Sequence, residues 1–398
     1  MGKGTLVKSL IKGSGGSGGG GGSVEEIKDN LLLQNNDVPS VSYYELYSLK
    51  IDNKNFVKVY ADSPYGSGSK NEIVICDGFR NSATRKSSVD LSIGQSYQSY
   101  VYVRDCGEVS PNKQLIILSG INSNTNIYAI PITKSGDYFS LGTPASFDIG
   151  VSSGSNQGFK QHCFINDNTF VFFYSGALHI FQYQNGEISE IKSITLSYTP
   201  GVVSSYDEKI LVTNSNYNTL VSLIDYETEE TVRSYTFSAK SLVSYFSKYK
   251  NIGIFLSSYT EAGYVCLNLD TFQEITMTKP ASFWTITPPM INNDYYEIDD
   301  NKILIAPNRA PSSGQYFVFC LDFVSNTITE VSVTPFYISY VSQTSYYSNF
   351  YYIDNMFMFG SSYQGSGRFY FYDILENFPV YIVYNGYKYD VQQKVADE

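Results

Sequence analysis

Histidine and cysteine are the side chains of this sequence best suited to chemistry, and they are few. The 398 residues include two histidines, His162 and His179, and five cysteines. His162 precedes Cys163 in a predicted loop, and a cysteine nucleophile would need a base and an orienting third group close by. His179 alternates with apolar residues in the segment 177–181, as a strand residue does. We therefore expect neither histidine to be catalytic.

Motifs for catalysis or metal binding are also missing. The sequence has no nucleophile elbow, phosphate-binding loop or zinc-protease helix. Acidic clusters at residues 225–230 and 294–300 lack the spacing of a calcium loop and are predicted to be solvated turns. Two distant carboxylates that meet in a central funnel stay an open alternative, because a glycosidase needs such a pair. The sequence predicts no enzyme, no metal site and no cofactor.

A repeat fills the chain from about residue 113. Apolar segments recur at intervals of roughly 40 to 55 residues, the period of propeller blades. Each follows a polar turn; the segments are 113–120, 168–176, 208–213, 251–257, 301–306 and 355–360. Most are followed by a strand, a polar turn and a second strand; these are 178–191, 220–237, 264–278, 315–331 and 368–374. This pattern predicts an all-β fold, a six- or seven-bladed β-propeller, over two β-sandwiches or a β-solenoid.

Three regions are expected along the chain. Residues 1–34 are predicted to be an anchoring arm with a basic leader, a glycine-rich linker at residues 13–23 and a short amphipathic helix that starts with a capping box. Residues 35–110 are an irregular β region or a divergent first blade, and residues 111–398 form the propeller. The arm residues expected to hold the assembly are Leu6, Leu10, Ile11, Gly18, Gly20, Val24, Ile27 and Leu31.

Charge and cysteine content restrict the partners and the compartment. The formal net charge is −11, and no basic run interleaves with aromatic residues, so no nucleic acid partner is expected. No stretch is long and apolar enough to insert into a membrane, and the leader is too short in apolar residues for a secretory signal. The five scattered cysteines are predicted to be free thiols in strands, with Cys76 and Cys106 as the one candidate disulfide. Free thiols are expected of a protein that is made in a reducing cytoplasm.

Tyrosine-rich segments are the best candidates for a binding surface. The segment 336–352 contains many Tyr, Ser and Asn residues, which combine large contact area with adaptable hydrogen bonds. A cell-surface glycan or a protein receptor would fit this chemistry. The alternative is that many of these tyrosines pack between blades. The candidate residues are Tyr340, Tyr346, Tyr347 and Tyr351.

The order of a basic leader, polyglycine, a short helix and Tyr-, Ser- and Asn-rich β-repeats resembles that of accessory virion proteins of tailed bacteriophages. The resemblance rests on residues 1–34 and on composition. It implies a structural virion component, made in the host cytoplasm, whose arm is held by other virion proteins of the tail, baseplate or collar. Its exposed face would then be available to the host surface. No fibre repeat or trimeric shaft accompanies these features, which leaves receptor binding open.

Two other functions are compatible with the same residues. One is a soluble lectin-like or carbohydrate-active propeller, which a funnel with two convergent carboxylates would favour. The other is a cellular propeller that acts as a scaffold for protein partners, for which the glycine-rich arm has no evident use.

Overall fold

Every regular element that the structure describes is a β-strand. The computed structural model describes residues 44–52, 55–61, 71–77, 85–91, 107–120, 124–136, 138–151, 161–214, 220–237, 243–257, 263–278, 280, 296–305, 318–331, 348–353, 356–363, 366–373, 378–384 and 387–389. These ranges contain thirty strands and no helix. The all-β prediction is therefore confirmed. The arm, with its predicted helix, lies outside the described residues.

The first four sheets take up residues 44–236. The first sheet contains β1 (Tyr44–Lys50), β2 (Asn55–Ala61), β3 (Asn71–Asp77) and β4 (Arg85–Leu91). The second contains β5 (Gly107–Val109), β6 (Leu115–Ser119), β7 (Asn126–Ser135), β8 (Tyr138–Leu141) and β9 (Ala145–Asp148). The third contains β10 (His162–Phe164), β11 (Thr169–Tyr174), β12 (Ala177–Gln184) and β13 (Glu187–Thr195). The fourth contains β14 (Pro200–Tyr206), β15 (Lys209–Asn214), β16 (Leu220–Ile224) and β17 (Thr231–Thr236).

Three further sheets continue in the same chain order. The fifth sheet contains β18 (Val243–Tyr249), β19 (Ile252–Ser257), β20 (Gly263–Asn268) and β21 (Gln273–Ile275). The sixth contains β22 (Tyr296–Asp299), β23 (Lys302–Ile305), β24 (Val318–Asp322) and β25 (Thr327–Val331). The seventh contains β26 (Ser348–Ile353), β27 (Met356–Tyr363), β28 (Ser366–Asp373), β29 (Phe378–Tyr384) and β30 (Tyr387–Tyr389).

Each sheet is an antiparallel meander made from one continuous part of the chain. Each repeated apolar segment of the sequence supplies the second strand of its sheet: β6, β11, β15, β19, β23 and β27. The first strands of neighbouring sheets contact one another in the series β1, β5, β10, β14 and β18. Strand β1 also contacts β26, the first strand of the seventh sheet. These contacts place the first five sheets and the seventh side by side along their first strands.

Second strands such as β6 and β11 are almost wholly apolar because neighbouring sheets cover both of their faces. In β6, Leu115 and Ile117 pack against the third sheet, whereas Ile116 and Leu118 pack against the first. The same alternation continues in the next sheets: Phe170 and Phe172 of β11 face the second sheet, while Val171 faces the fourth. Side chains alternate across a strand, so one strand can supply two interfaces. These alternating contacts form the core.

A β-bulge recurs in the fourth strand of several sheets. The extra residue is Lys86 in β4, Ile191 in β13, Val232 in β17 and Val380 in β29. A bulge leaves one residue out of the ladder and bends the strand. Because the fourth strand lies at or near the outer edge of its sheet, this bend makes edge-to-edge pairing with other chains less favourable.

The second sheet departs from the common plan. Its third strand, β7, pairs with β9 through residues 126–129 and with β8 through residues 132–135, so the fourth position is divided between two strands. The hairpin of β7 and β8 leaves the sheet and lies against β3 and β4 of the first sheet. The sequence pattern gave no sign of this hairpin.

Truncation of Phe170 tests the core. Phe170 is fully buried and its ring lies 5.8 Å from those of Phe164 and Phe181. We expect Phe170→Ala to lower the free energy of unfolding by about 3 to 5 kcal/mol, measured by urea denaturation. Ile191→Ala is the control, because Ile191 is 47% exposed. An equal loss in both variants would contradict this account of the core.

Candidate functional site

Most of the predicted binding residues lie outside the described part of the chain. This holds for all eight arm residues and for Tyr340, Tyr346 and Tyr347. Tyr351 lies within strand β26, where only the backbone is described. The proposed anchor and the tyrosine surface therefore stay predictions.

The His162–Cys163 pair does not form a site. The prediction that His162 lies in a loop is wrong, since it belongs to strand β10 and is buried, with its ring 5.2 Å from that of Phe172. Cys163 follows it in the strand and packs in the cluster between the third and fourth sheets. Burial raises the pKa of the Cys163 thiol well above its ordinary value, and the nearby Glu108 carboxylate adds to the shift. The thiol is thus held in its unreactive, protonated form.

The other cysteines agree with the prediction as far as they are described. Cys266 in β20 and Cys320 in β24 are free thiols, as Cys163 is. Cys76 lies in β3, but Cys106 is outside the described residues, so the candidate disulfide stays untested.

His179 is held by a carboxylate and an aromatic ring. It lies in β12, and its Nδ1 is 2.8 Å from Oε1 of Glu190 in β13. Its ring stacks on that of Tyr174 with the centroids 3.7 Å apart. Burial, and then the charge of Glu190, raise the pKa of the Tyr174 hydroxyl. A carboxylate that orients an imidazole is a common part of active sites, but here His179 Nε2 is buried without a hydrogen-bond partner in the described residues. The Glu190 carboxylate and the Tyr174 ring therefore hold the imidazole in place, while its Nε2 atom is shielded from solvent.

The predicted acidic turn at residues 225–230 is confirmed as an exposed turn between strands. Asp225 Oδ1 accepts hydrogen bonds from the backbone N–H groups of Glu227 and Thr228 at 2.9 and 3.1 Å. Asn268 and Asp322 make the same two bonds after β20 and β24. Each carboxylate or amide therefore closes a turn by bonding to its own backbone. The sequence repeat showed this turn because it recurs at the same place in the fourth, fifth and sixth sheets.

Side chains on or beside the first strands bind the backbone of a neighbouring sheet. The Phe164 N–H donates to Oε2 of Glu108 on β5 at 3.0 Å. Gln161 Nε2 donates to the Pro200 carbonyl at 2.9 Å, and Lys248 Nζ donates to the Ser205 carbonyl at 3.3 Å. First strands are sheet edges, whose backbone groups need partners. Sequence reasoning missed these bonds, since no local pattern marks a side chain that binds another sheet.

Asp270 is the centre of a second polar contact, between the fourth and fifth sheets. Tyr206 of β14 donates its hydroxyl to Asp270 Oδ1, and Asn251 Nδ2 donates to Oδ2 at 2.5 Å. Arg233 of β17 donates to the Asp270 carbonyl. The Tyr206 bond, followed by that of Asn251, lowers the pKa of the Asp270 carboxyl below its ordinary value. Burial, followed by the Asp270 hydrogen bond and charge, raises the pKa of Tyr206 to about 12.

The described residues offer no candidate cation site and no candidate membrane helix. No group of three or more His, Cys, Asp or Glu side chains there could hold a metal ion. Among the same residues, no helix has the length and apolar character needed to cross a membrane.

Comparison with known proteins identifies the fold class. No family model and no curated protein matches the chain. Crystallised Saccharomyces cerevisiae Sqt1 is similar, with a TM-score of 0.53 and 6% identity over 89% of this chain and 88% of that chain. The structure of U3-55K matches with a TM-score of 0.45 and 10% identity over 69% and 79% of the two chains. BamB from Moraxella catarrhalis matches with a TM-score of 0.41 and 13% identity over 77% and 78%. The likeness to Sqt1, a propeller-like protein, confirms the propeller class and says nothing of function.

Acid unfolding tests the Asp270 contact. The pKa of Asp270 is lower in the folded chain than its ordinary value of 3.8. Its ionised form therefore stabilises the fold above that pH, and this stability is lost as the pH falls through the lowered folded-state pKa. We expect Asp270→Asn to reduce the drop in urea midpoint between neutral pH and about pH 3. Glu187→Gln, at the exposed start of β13, is the control; an unchanged drop in the Asp270 variant would rule out this linkage.

The tautomer of His179 tests its pairing with Glu190. Because the carboxylate accepts from Nδ1, we expect the neutral ring to carry its proton on Nδ1. Nitrogen-detected NMR of histidine-labelled protein can resolve this, since the chain has only two histidines. Glu190→Ala should shift the tautomer equilibrium. A proton on Nε2 in the unaltered protein would contradict the assigned contact.

Proposed function

We propose that the seven sheets are the blades of one seven-bladed β-propeller, with residues 44–91 as the first blade. The proposal is supported by the strict chain order of the sheets, by the contacts between first strands, and by the contact of β1 with β26. The predicted border at residue 110 then moves to Gly107, where β5 begins. In this arrangement residues 35–43 connect the arm to the first blade.

We also propose that the chain is a structural, non-enzymatic virion component, attached to a phage tail, baseplate or collar by residues 1–34. The observation that carries this proposal is the joining of a glycine-rich arm to a repeat domain whose charged side chains bind neighbouring sheets. Glu108 binds the backbone of the third sheet, and Asp270 of the fifth sheet accepts from Tyr206 of the fourth. A domain built this way is suited to act as a rigid body that other proteins hold.

Attachment through the arm has a physical rationale. A glycine tract has high backbone entropy in solution, and glycine has no side chain that would prevent close approach to a neighbouring backbone. Contacts made by apolar residues such as Leu6, Leu10 and Ile11 would offset the cost of ordering it. The propeller would then be carried on the particle, with its outer surface available for a glycan or protein of the host.

Removal of residues 1–34 separates anchoring from folding. We expect the truncated protein to remain folded by circular dichroism and monodisperse in light scattering, but to be lost from purified particles. A full-length variant with Leu6, Leu10 and Ile11 changed to serine should show the same loss with the glycine tract intact. The unaltered protein, produced alongside, is the control for particle yield.

The opposite result would favour a different function. If the truncated protein incorporates as well as the full chain, or the full chain is absent from particles, the virion proposal is wrong. A glycan array would then test the lectin-like alternative directly.

A further inference from the structure

The first sheet is held by an element that the other described sheets lack. Beyond residue 131, β7 no longer pairs with β6 but forms a separate hairpin with β8, in which Ile132 pairs with Leu141 and Lys134 with Phe139. We call this hairpin, residues 132–141, the strap. Strand β8 of the strap contacts β3 and β4 of the first sheet.

One face of the strap is apolar and turned to the first sheet. Ile132 and Phe139 are each 4% exposed and pack in the same cluster as Ile51 and Val57. Leu141 and Leu91, both half-buried, complete the contact. Directly opposite residues of an antiparallel pair point to the same face, which explains why Ile132, Leu141 and Phe139 act together. Lys134 Nζ lies 5.3 Å from the centre of the Phe139 ring and covers its outer side.

The origin of the strap is rigidly placed. The Ile132 N–H donates to the Gln114 carbonyl at 2.7 Å, and the Gly142 N–H donates to the Pro131 carbonyl at 2.8 Å. At its tip, Gly136 has φ of +63°, which closes the turn without strain. The strap is thus fixed at its base to the second sheet and reaches the first sheet with its apolar face.

The first sheet depends on such a contact because of its place in the chain. It contacts the seventh sheet through β1 and β26, but the two lie at opposite ends of the described chain and share no described strand. Two neighbouring repeats separate more easily when packing alone joins them than when the chain also connects them. The first sheet has this weaker junction on one side; on the other, the strap adds to its packing against β6.

We propose that the strap is a conformational device that keeps the first sheet docked, so that loosening it releases residues 44–91 as a unit. Residues 1–43 enter the described fold at β1. If the arm is the anchor proposed above, any pull on the arm reaches the first sheet before the rest of the propeller, and the strap resists it. The docking role itself does not depend on that function.

Hydrogen exchange of the full chain tests the proposal. We expect Phe139→Ala to speed exchange about tenfold or more in peptides that cover 44–61 and 71–91, with little change in 161–214, because local opening is cooperative within a unit. Ile188→Ala is the matched control: Ile188 is 8% exposed and packs between the second and third sheets. In Ile188→Ala, the amide exchange rate should rise in the third sheet, and the rate in residues 44–61 should stay unchanged.

Other outcomes would overturn the proposal. Faster exchange only in residues 126–141 would mean that the strap does not hold the first sheet in place. A uniform rise over all sheets would mean that Phe139 supports the whole fold. If Phe139→Ala does not fold, Leu141→Ala is the substitute, because it removes less buried surface. The faster exchange must then again be confined to the first sheet. Unchanged exchange in the first sheet would refute the docking role of the strap.

Discussion

The structure depends on the burial of second strands on both faces, which is seen in β6, β11, β15 and β19. An isolated four-stranded meander has two faces, and one blade cannot cover both with its own residues. Ile116 and Ile117 are neighbours in sequence, yet they pack against different sheets and are both fully buried. Each sheet therefore needs a neighbour on both sides, which favours a stack that continues until its two ends meet.

Polar side chains provide hydrogen bonds between sheets that apolar packing cannot provide. Stacked sheets place edge strands side by side, and the backbone groups of those edges need hydrogen-bond partners. Glu108, Gln161 and Lys248 meet this need by reaching from one sheet to the backbone of another. Glu108, a carboxylate, is in this way part of the framework, which is the physical basis for proposing a scaffold.

Sequence reasoning succeeded where the signal is local and repeated, and failed where it is short or unique. The apolar second strands and the Asp225-type turns were found because each is encoded within a few residues and recurs. His162 was assigned to a loop because β10 has only three residues, too few to show alternation. The strap was missed because 126–141 occurs once and continues a strand that looks ordinary until it changes partners.

By itself the sequence determined the strand class, the superperiod and the polar turns, since hydrophobic period and turn chemistry act over neighbouring residues. Only the tertiary structure decided which sheet each side chain contacts, because residues such as Glu108 and Phe164 are paired across 56 positions of chain. It also decided that His179 is oriented by Glu190, and that Phe139 packs in the core of the first sheet. These outcomes depend on packing between distant segments, which no local pattern of residues records.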